Sequence, residues 1–251
     1  MCNILVTGSK GFIGKNLLKK LDRKKFNIIE FTRSDDLDFL EEAIGKCDFI
    51  VHLAGEVKPS SSDEDFKKAN TLLTEYIINL IVKNNKKVPI LMASSIHAKF
   101  LKNEYGRTKR ESELLIEDYS KKYNIPCFIY RLPHVFGEGC KPNYNSVIST
   151  WIYNSIHNLE INCFDRKIEM NYVYVQDVVD EFIDIINAKI KNVGYKEPRI
   201  IYNTNLGEVI DFIDEFKLNI NNDKYIYSLD NLFKKKLFIT YLDYVIKSNK
   251  Y

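Results

Sequence analysis

Two side chains, Tyr105 and Lys109, have the residue types and the spacing for proton transfer. They are four positions apart, so on a helix they share one face, one turn apart. A tyrosine with a pKa of ~10 is a poor acid or base at neutral pH, and a neighbouring ammonium lowers that pKa because it favours the phenolate. The pair can then pass a proton to or from a substrate oxygen. Ser94 or Ser95, at the end of the preceding predicted strand, offers a hydroxyl to hold that oxygen.

The position of the Tyr-x-x-x-Lys pair in the chain is more informative than the spacing alone. The chain has 16 tyrosines and many lysines, so about two such pairs are expected by chance. Only one occurs, and it opens a predicted helix directly after the strand that ends in two serines. The alternative interpretation is a surface tyrosine and lysine on an amphipathic helix.

A glycine-rich turn near the amino terminus has the context of a phosphate-binding loop. An apolar strand pattern ends at Thr7, and a helical pattern follows the turn. Gly8 permits the tight turn, Gly11 lets a pyrophosphate approach the backbone, and Gly14 lets the helix pack closely. The helix N-terminus then faces the phosphates. The predicted dinucleotide contacts are Gly8, Lys10, Gly11, Phe12 and Ile13. The alternative is a turn with accidental glycines.

The end of the second predicted strand indicates which dinucleotide to expect. A carboxylate there accepts from the ribose 2′-hydroxyl of NAD, whereas an arginine pairs with the 2′-phosphate of NADP. The strand ends here at Thr32 and Arg33, which favours NADPH. Glu30 and Asp35 keep NADH open, because either carboxylate reaches the ribose if the strand ends elsewhere. A solvated surface role is the alternative for Arg33.

The third predicted strand ends in small residues that leave room for a cofactor. Leu53, Ala54 and Gly55 are therefore predicted to line the dinucleotide site. His52 in the same strand is interpreted as a packed core residue without a chemical role.

Strand and helix patterns alternate as far as Arg131, which predicts an α/β fold with a Rossmann-type, doubly wound parallel sheet. Beyond Gly137 a polar loop and shorter elements predict a small C-terminal substrate-binding lobe. We expect a single unit over residues 1–251. Residues 1–135 would form the NADP-binding core, and residues 136–251 mainly the lobe, with some elements returning to the core.

Composition excludes several other classes of protein. A net charge of +3, from 37 basic and 34 acidic residues, is a poor argument for nucleic acid binding. The five cysteines form no C-x-x-C pair and have no metal-like spacing with the four histidines, so we expect reduced cysteines and no metal site. No signal peptide and no membrane-length apolar run are visible. We therefore expect a cytoplasmic protein.

Four motifs resemble, in their order, the extended short-chain dehydrogenase/reductase family. They are Thr7-Gly8-x-x-Gly11-x-x-Gly14, His52-Leu53-Ala54-Gly55, Ser94-Ser95 and Tyr105-Gly106-x-x-Lys109. The resemblance covers nearly the whole chain. Within the family, a closer resemblance is to a reductase of capsular polysaccharide synthesis. It rests on residues 130–137, 140–148, 229–233 and 240–242.

The closer resemblance implies NADPH-dependent reduction of the C4 ketone of a UDP-linked 4-keto-6-deoxy-hexosamine. The product is a talose-type sugar on the route to UDP-N-acetyl-L-fucosamine. By the same resemblance, Tyr105 protonates the C4 oxygen, Lys109 holds the nicotinamide ribose and tunes Tyr105, and Ser95 hydrogen-bonds the carbonyl. A homodimer is also implied.

The polar loop after the sheet is the predicted substrate site, with a plain solvent loop as the alternative. We expect Lys141, Asn143 and Asn145 to contact the UDP-sugar there, with Arg166 near its diphosphate. His134 stands where the family commonly has an asparagine, which changes the expected diphosphate contact. Relatives of this kind also carry a C-terminal cupin domain that epimerises C3. The sequence leaves no room for one, so we expect that a separate chain supplies that step or that the substrate differs.

Two other functions stay open on the sequence, a 4-epimerase and a non-catalytic regulator, whereas a 4,6-dehydratase is disfavoured. A 4,6-dehydratase needs an acidic pair just after the catalytic hydroxyl, where this chain has Ile96-His97-Ala98. A nucleotide-sugar 4-epimerase retains its NAD and consumes no NADPH. A non-catalytic NADP-binding regulator usually lacks the Tyr–Lys pair. Such a protein would bind the cofactor without turnover, so Tyr105→Phe would have no turnover to abolish.

Overall fold

The computed structural model describes residues 1–188, 193–221 and 231–248. Leu229 and Asp230, two residues of the closer resemblance, lie outside this range. The chain separates into two compact units. Unit 1 comprises Met1–Leu132 and Val179–Pro198, and unit 2 comprises Pro133–Val178 and Arg199–Tyr251.

The strands and helices follow one another in the alternation expected from the sequence. The strands are β1 (Cys2–Thr7), β2 (Phe26–Phe31), β3 (Phe49–His52), β4 (Ile90–Ser95), β5 (Cys127–Leu132), β6 (His134–Phe136), β7 (Glu169–Tyr174), β8 (Gly194–Lys196) and β9 (Tyr202–Asn205). The helices are α1 (Phe12–Lys20), α2 (Leu37–Lys46), α3 (Asp63–Phe66), α4 (Leu73–Lys83), α5 (His97–Phe100), α6 (Glu104–Tyr123), α7 (Val147–Ile156), α8 (Val175–Ile186), α9 (Leu206–Asn221) and α10 (Leu232–Ser248). A π-helical turn, Lys67–Leu72, joins α3 to α4.

Unit 1 is built on a six-stranded parallel sheet in the order β2-β1-β3-β4-β5-β8. The prediction of a Rossmann-type α/β fold is therefore confirmed. Parallel strands end at a common edge of the sheet, so Thr7 of β1, His52 of β3 and Ser95 of β4 are brought to that edge from distant parts of the sequence. The short edge strand β8 was not predicted, because three residues carry too little periodicity.

The central strands are continuous apolar runs because both faces of the sheet are covered. Leu5, Ile50 and Ile90 are buried in one core cluster with Leu40 of α2 and Ile116 of α6. This packing fixes α6, the helix that carries Tyr105 in its first turn, against the strands that end in the predicted cofactor contacts.

Unit 2 has a three-stranded sheet in which β7 is central, parallel to β6 and antiparallel to β9. Its core is unusually aromatic, with rings from all three strands packed against Phe233 of α10. Within the described parts of both units, no helix has the length and apolar character needed to span a bilayer.

Candidate active site

The glycine turn after β1 is fixed by backbone contacts that exclude side chains. Gly8 has φ +69°, and a Cβ there would lie 2.7 Å from the backbone nitrogen of Ala54. A Cβ at Gly14 would collide with the carbonyl oxygens of Gly8 and Ser9, at 2.7 Å from the latter. The Gly8 N–H donates to the Phe31 carbonyl at 2.8 Å, which ties the turn to the end of β2. Gly8 and Gly14 thus have the steric roles that the sequence predicted, and the approach of a pyrophosphate to Gly11 stays a prediction.

The N-terminus of α1 fits a diphosphate. Its N-cap residue is Gly11, and no side chain caps the helix, so the first-turn N–H groups of Phe12 and Ile13 have no intrahelical acceptor. A Cβ at Gly11 would meet only the Gly8 carbonyl oxygen, at 3.0 Å, so its outer side is open. The Ser9 hydroxyl is buried and has no partner among the described residues. An anion with several oxygens would satisfy these donors.

The end of β3 joins this turn on one side and reaches Lys109 on the other. The N–H of Ala54 donates to the Thr7 hydroxyl at 3.2 Å. A Cβ at Gly55 would lie 2.7 Å from Asn70 Oδ1 and 3.0 Å from Lys109 Nζ, so a larger residue there would displace these side chains. The small residues predicted to line the cofactor site therefore also make room for the lysine.

His52 is a core residue, as the sequence predicted. Its ring nitrogens hydrogen-bond the hydroxyls of Thr7 at 2.8 Å and Thr74 at 3.0 Å. Burial, reinforced by the nearby Lys109 ammonium, lowers the pKa of His52 to about 3. The ring is consequently neutral at physiological pH and joins β1 to α4.

At the end of β2 an arginine is exposed at the surface, and the two nearby carboxylates are bonded to other residues. Arg33, with a side chain 78% exposed, donates to the Glu56 carboxylate at 2.9 Å. Asp35 accepts from the N–H of Thr32 at 2.7 Å and from its hydroxyl at 2.8 Å, and those bonds lower its pKa. Glu30 pairs with Arg23 at 3.4 Å. The two carboxylates that kept NADH open are thus engaged in local contacts.

Tyr105 lies in the first turn of α6, and its phenol meets the hydroxyl of Ser95. Asn103 caps this helix by accepting from the N–H of Gly106 at 2.9 Å. The Tyr105 ring packs 5.9 Å from Phe66 and 5.7 Å from His97. Burial raises the pKa of Tyr105, and the hydrogen bond with Ser95 offsets part of the rise.

The expectation that Lys109 lowers the pKa of Tyr105 is corrected by this environment. Desolvation of the phenolate is the larger effect in this structure, so the pKa moves upward. The phenol is therefore protonated at neutral pH, which is the form that donates a proton.

Lys109 is buried one turn further along α6. Its ammonium donates to the Ala93 carbonyl of β4 at 3.1 Å. Burial lowers the pKa of Lys109 to about 8, against the opposing effect of the Glu113 carboxylate. Lys109 thus lies between the end of β3 and the body of β4, inside unit 1.

The two serines at the end of β4 have different partners. Ser95 hydrogen-bonds Tyr105 and accepts from the N–H of His97 at 3.2 Å, whereas Ser94 donates to the Glu113 carboxylate at 2.6 Å. The sequence left both serines open for the same task, and the structure associates only Ser95 with the Tyr105 phenol.

Three buried polar residues near the site were not predicted. Glu56 accepts from Arg33, Asn70 accepts from the N–H of Glu56 at 3.0 Å and donates to the Thr108 hydroxyl at 3.1 Å, and Glu113 is wholly buried. The one available signal was the position of Glu113, four residues after Lys109 on the same helix face. Nothing local marks Glu56 or Asn70, because their partners are distant in sequence.

Apart from Ser95, which lies in unit 1, the residues predicted to bind the substrate lie in unit 2. Lys141, Asn143 and Asn145 are exposed in the loop before α7, and the Asn143 N–H donates to the Thr150 hydroxyl at 2.9 Å. Arg166 is paired with Asp211 at 2.6 Å and also donates to the Gly207 carbonyl at 3.1 Å. The His134 ring packs 5.9 Å from that of Tyr172.

Comparisons with known proteins agree with this geometry. The family described as "NAD dependent epimerase/dehydratase family" matches residues 4–198. A UDP-2-acetamido-2,6-beta-L-arabino-hexul-4-ose reductase of Pseudomonas aeruginosa is 35% identical over 215 residues, covering 85% of this chain and 57% of the relative. The crystal structure of the capsular polysaccharide assembling protein CapF from Staphylococcus aureus aligns with a TM-score of 0.85 and 40% identity, over 96% of this chain and 65% of CapF. The resemblance inferred from the motifs is confirmed.

A third comparison concerns the fold alone. UDP-glucose 4-epimerase of Thermotoga maritima aligns with a TM-score of 0.80 at 17% identity, covering 98% of this chain and 99% of that one. The chain spans less than two thirds of the length of the Pseudomonas reductase and of CapF.

Proposed function

The chain belongs to the NAD dependent epimerase/dehydratase family, and on that premise we propose that it reduces the C4 ketone of a nucleotide-linked 4-keto-6-deoxy-hexosamine with NADPH. The observation that carries the proposal is that Ser95, at the end of β4, lies beside a Tyr105 phenol whose pKa is raised by burial. A hydroxyl and a protonated phenol side by side form a donor pair for a carbonyl oxygen that gains negative charge.

A bound nicotinamide supplies the hydride that the ketone carbon receives. The Ser95 hydroxyl donates a hydrogen bond to the C4 oxygen and holds the carbonyl in place. The Tyr105 phenol transfers its proton to that oxygen, which becomes the new hydroxyl of the sugar. The Lys109 ammonium stabilises the negative charge left on the phenolate until a proton from solvent restores the phenol.

Cofactor choice follows from the end of β2. The Arg33 guanidinium lies at the surface and offers several donors to a 2′-phosphate, whereas Asp35 and Glu30 already have local partners. The neutral 2′-hydroxyl of NADH would not make such a contact between opposite charges with Arg33. These contacts support NADPH over NADH.

The proposed substrate is UDP-2-acetamido-2,6-dideoxy-hexos-4-ulose, reduced to the talose-type product for a surface polysaccharide. It is supported by the 35% identity to a Pseudomonas reductase that is named for a UDP-linked 4-keto sugar of this kind. We propose that the sugar nucleotide is bound by His134, Lys141, Asn143, Asn145 and Arg166. Two of these are cationic side chains suited to a diphosphate.

The deciding experiment incubates the purified chain with NADPH and this UDP-4-keto sugar. We expect one NADPH consumed per sugar reduced, with NMR identifying a talo-configured product. A 4-epimerase would change the sugar without consuming NADPH, and a regulatory protein would bind NADPH without turnover. Either result contradicts the proposal. Replacing NADPH by NADH in a parallel incubation tests the cofactor separately. The homodimer and the separate epimerase chain stay predictions.

A further inference from the structure

We propose that Glu113 is a positioning residue for Lys109: its buried carboxylate keeps the Lys109 ammonium charged and fastens helix α6 to the strand end that carries Ser95. The inference rests on the proposed function for its kinetic readout, and its binding readout is independent of the sugar substrate.

Glu113 is the centre of a hydrogen-bond cluster that spans four elements of unit 1. Its side chain is 0% exposed. It accepts from Ser94 of β4 at 2.6 Å and, through both carboxylate oxygens, from Arg131 of β5 at 2.9 and 2.7 Å. It also accepts from Arg110 of α6 at 3.0 Å and from Tyr195 of β8 at 3.3 Å. These donors hold the carboxylate in one place between the end of β4 and helix α6.

The cluster contains a second carboxylate beside Glu113. Glu117, one turn further along α6, accepts from Arg110 at 2.8 Å and also from the Tyr195 hydroxyl. The Arg131 guanidinium lies 4.2 Å from the centroid of the Tyr195 ring. Glu117 alone would therefore hold Arg110 and Tyr195, and the part that only Glu113 contacts is Ser94 and Arg131.

The position of Glu113 explains what that extra part does. Ser94 is adjacent to Ser95, and Glu113 is one helical turn from Lys109, which is itself one turn from Tyr105. A carboxylate that bonds Ser94 therefore sets the end of β4 and the first two turns of α6 relative to each other. All three predicted catalytic groups belong to those two segments.

The charge of Glu113 matters because Glu113 is the carboxylate one helical turn from Lys109, whose ammonium forms no ion pair with the described residues. The Lys109 ammonium donates to a neutral carbonyl, that of Ala93. The titratable groups around it are Tyr105 and Glu113 on its own helix and His52 on β3, whose ring is neutral. Only Glu113 favours the charged lysine against the cost of burial.

The test is the pH dependence of NADPH binding and of turnover in Glu113→Gln. Lys109 must be charged to hold the ribose and to stabilise the Tyr105 phenolate, so both activities are lost as the pH rises through its pKa of about 8. We call this loss of NADPH binding and turnover at high pH the alkaline limb. Without the carboxylate the ammonium is less stable, so we expect the alkaline limb to move down by about one pH unit. An unmoved limb in the folded variant overturns the proposal.

Two matched variants separate positioning from general stability. Glu117→Gln loses a carboxylate on the same helix, contacting the same Arg110 and Tyr195, and should leave the alkaline limb in place. Glu113→Asp keeps the charge but shortens the reach, so it should restore the limb while turnover stays below that of the parent. A limb that moves equally in Glu113→Gln and Glu117→Gln contradicts the specific role of Glu113.

The measurement of NADPH binding separates this test from the test of the proposed function. NADPH fluorescence reports the dissociation constant without any sugar, so the limb is measurable even when the sugar offered is not reduced. If Glu113→Gln does not fold, Arg131→Gln tests the same electrostatic effect, and the alkaline limb is then expected to move in the opposite direction. It removes a positive charge beside Glu113, and the limb must then move upward. A limb that stays or moves downward counts against the proposal.

Discussion

Arg33 and Glu56 form an ion pair in which a largely exposed guanidinium meets a carboxylate that is only 7% exposed, at 2.9 Å. Glu56 is held in turn by the N–H groups of Val57 at 2.9 Å and Lys58 at 2.8 Å. The buried carboxylate therefore anchors the arginine beside the end of β2, where a 2′-phosphate would be recognised. An exposed arginine without such an anchor would lose more side-chain entropy on binding a ligand.

Replacing Arg33 by alanine should change cofactor preference. We expect the KM for NADPH to rise about tenfold, since a charge-assisted contact to phosphate is lost, with the KM for NADH nearly unchanged. Steady-state kinetics with both cofactors measure this. Lys83→Ala, which removes an exposed cation of the same unit that pairs with Glu41, is the control and should alter neither value. An equal rise for both cofactors in Arg33→Ala would show that Arg33 does not recognise the 2′-phosphate.

Tyr105→Phe should abolish turnover while leaving cofactor binding nearly intact. Phenylalanine keeps the ring contacts with Phe66 and His97 but has no proton to give, so we expect turnover to fall by about 100-fold or more. The measurements are NADPH consumption and the NADPH dissociation constant. Tyr123→Phe, at the far end of α6, should behave like the parent. Turnover that survives in Tyr105→Phe would refute the acid role.

Lys141→Ala should weaken binding of the sugar nucleotide more than that of the cofactor. Lys141 is exposed in the loop before α7, so its removal costs little stability, and the loss should appear as a higher KM for the UDP-sugar with an unchanged KM for NADPH. Lys235→Ala on the exposed face of α10 serves as the control. Equal effects on both KM values would remove Lys141 from the substrate site.

Two glycine-to-alanine substitutions should have opposite effects on stability. A Cβ at Gly14 would strike backbone oxygens of the turn, so we expect a loss of about 1–3 kcal/mol in the free energy of unfolding and weaker NADPH binding. A Cβ at Gly45, inside α2, meets nothing within 4 Å, so alanine there should add about 0.5–1 kcal/mol. Urea unfolding of both variants checks the pair. A Gly14→Ala protein as stable as the parent would contradict the close packing of the turn.

His52 should make the fold sensitive to acid. Its pKa is lowered to about 3 in the folded chain, from an ordinary value near 6.5, so the unfolded chain binds a proton that the folded chain does not. Stability should therefore fall as the pH drops from 6.5 towards 3, by about 1.4 kcal/mol per unit at most from this residue. Urea unfolding at several pH values measures the slope.

The variant His52→Gln should show a shallower slope than the parent in that window, because it has no imidazole to protonate. His157→Gln, which changes an exposed histidine, should keep the slope of the parent. Parallel slopes for His52→Gln and the parent would mean that other groups dominate the acid response.

The sequence alone determined the fold class, the phosphate turn and the Tyr105–Lys109 pair. Each is a local pattern: the strand–turn–helix signal spans about a dozen residues, and the pair depends only on the pitch of one helix. Glycines at Gly8 and Gly14 were informative because their steric requirement is set by neighbours in the same turn.

Only the tertiary structure decided which polar groups meet. Ser94 and Ser95 are chemically identical, and packing alone directs one to Glu113 and the other to Tyr105. The pKa of Tyr105 moves up because of burial, which no sequence window measures, and not down as its spacing to Lys109 predicted. Arg33 with Glu56 and Glu113 with Arg131 are 23 and 18 residues apart. Such pairs form only once the parallel strands have brought their carboxyl ends to one edge.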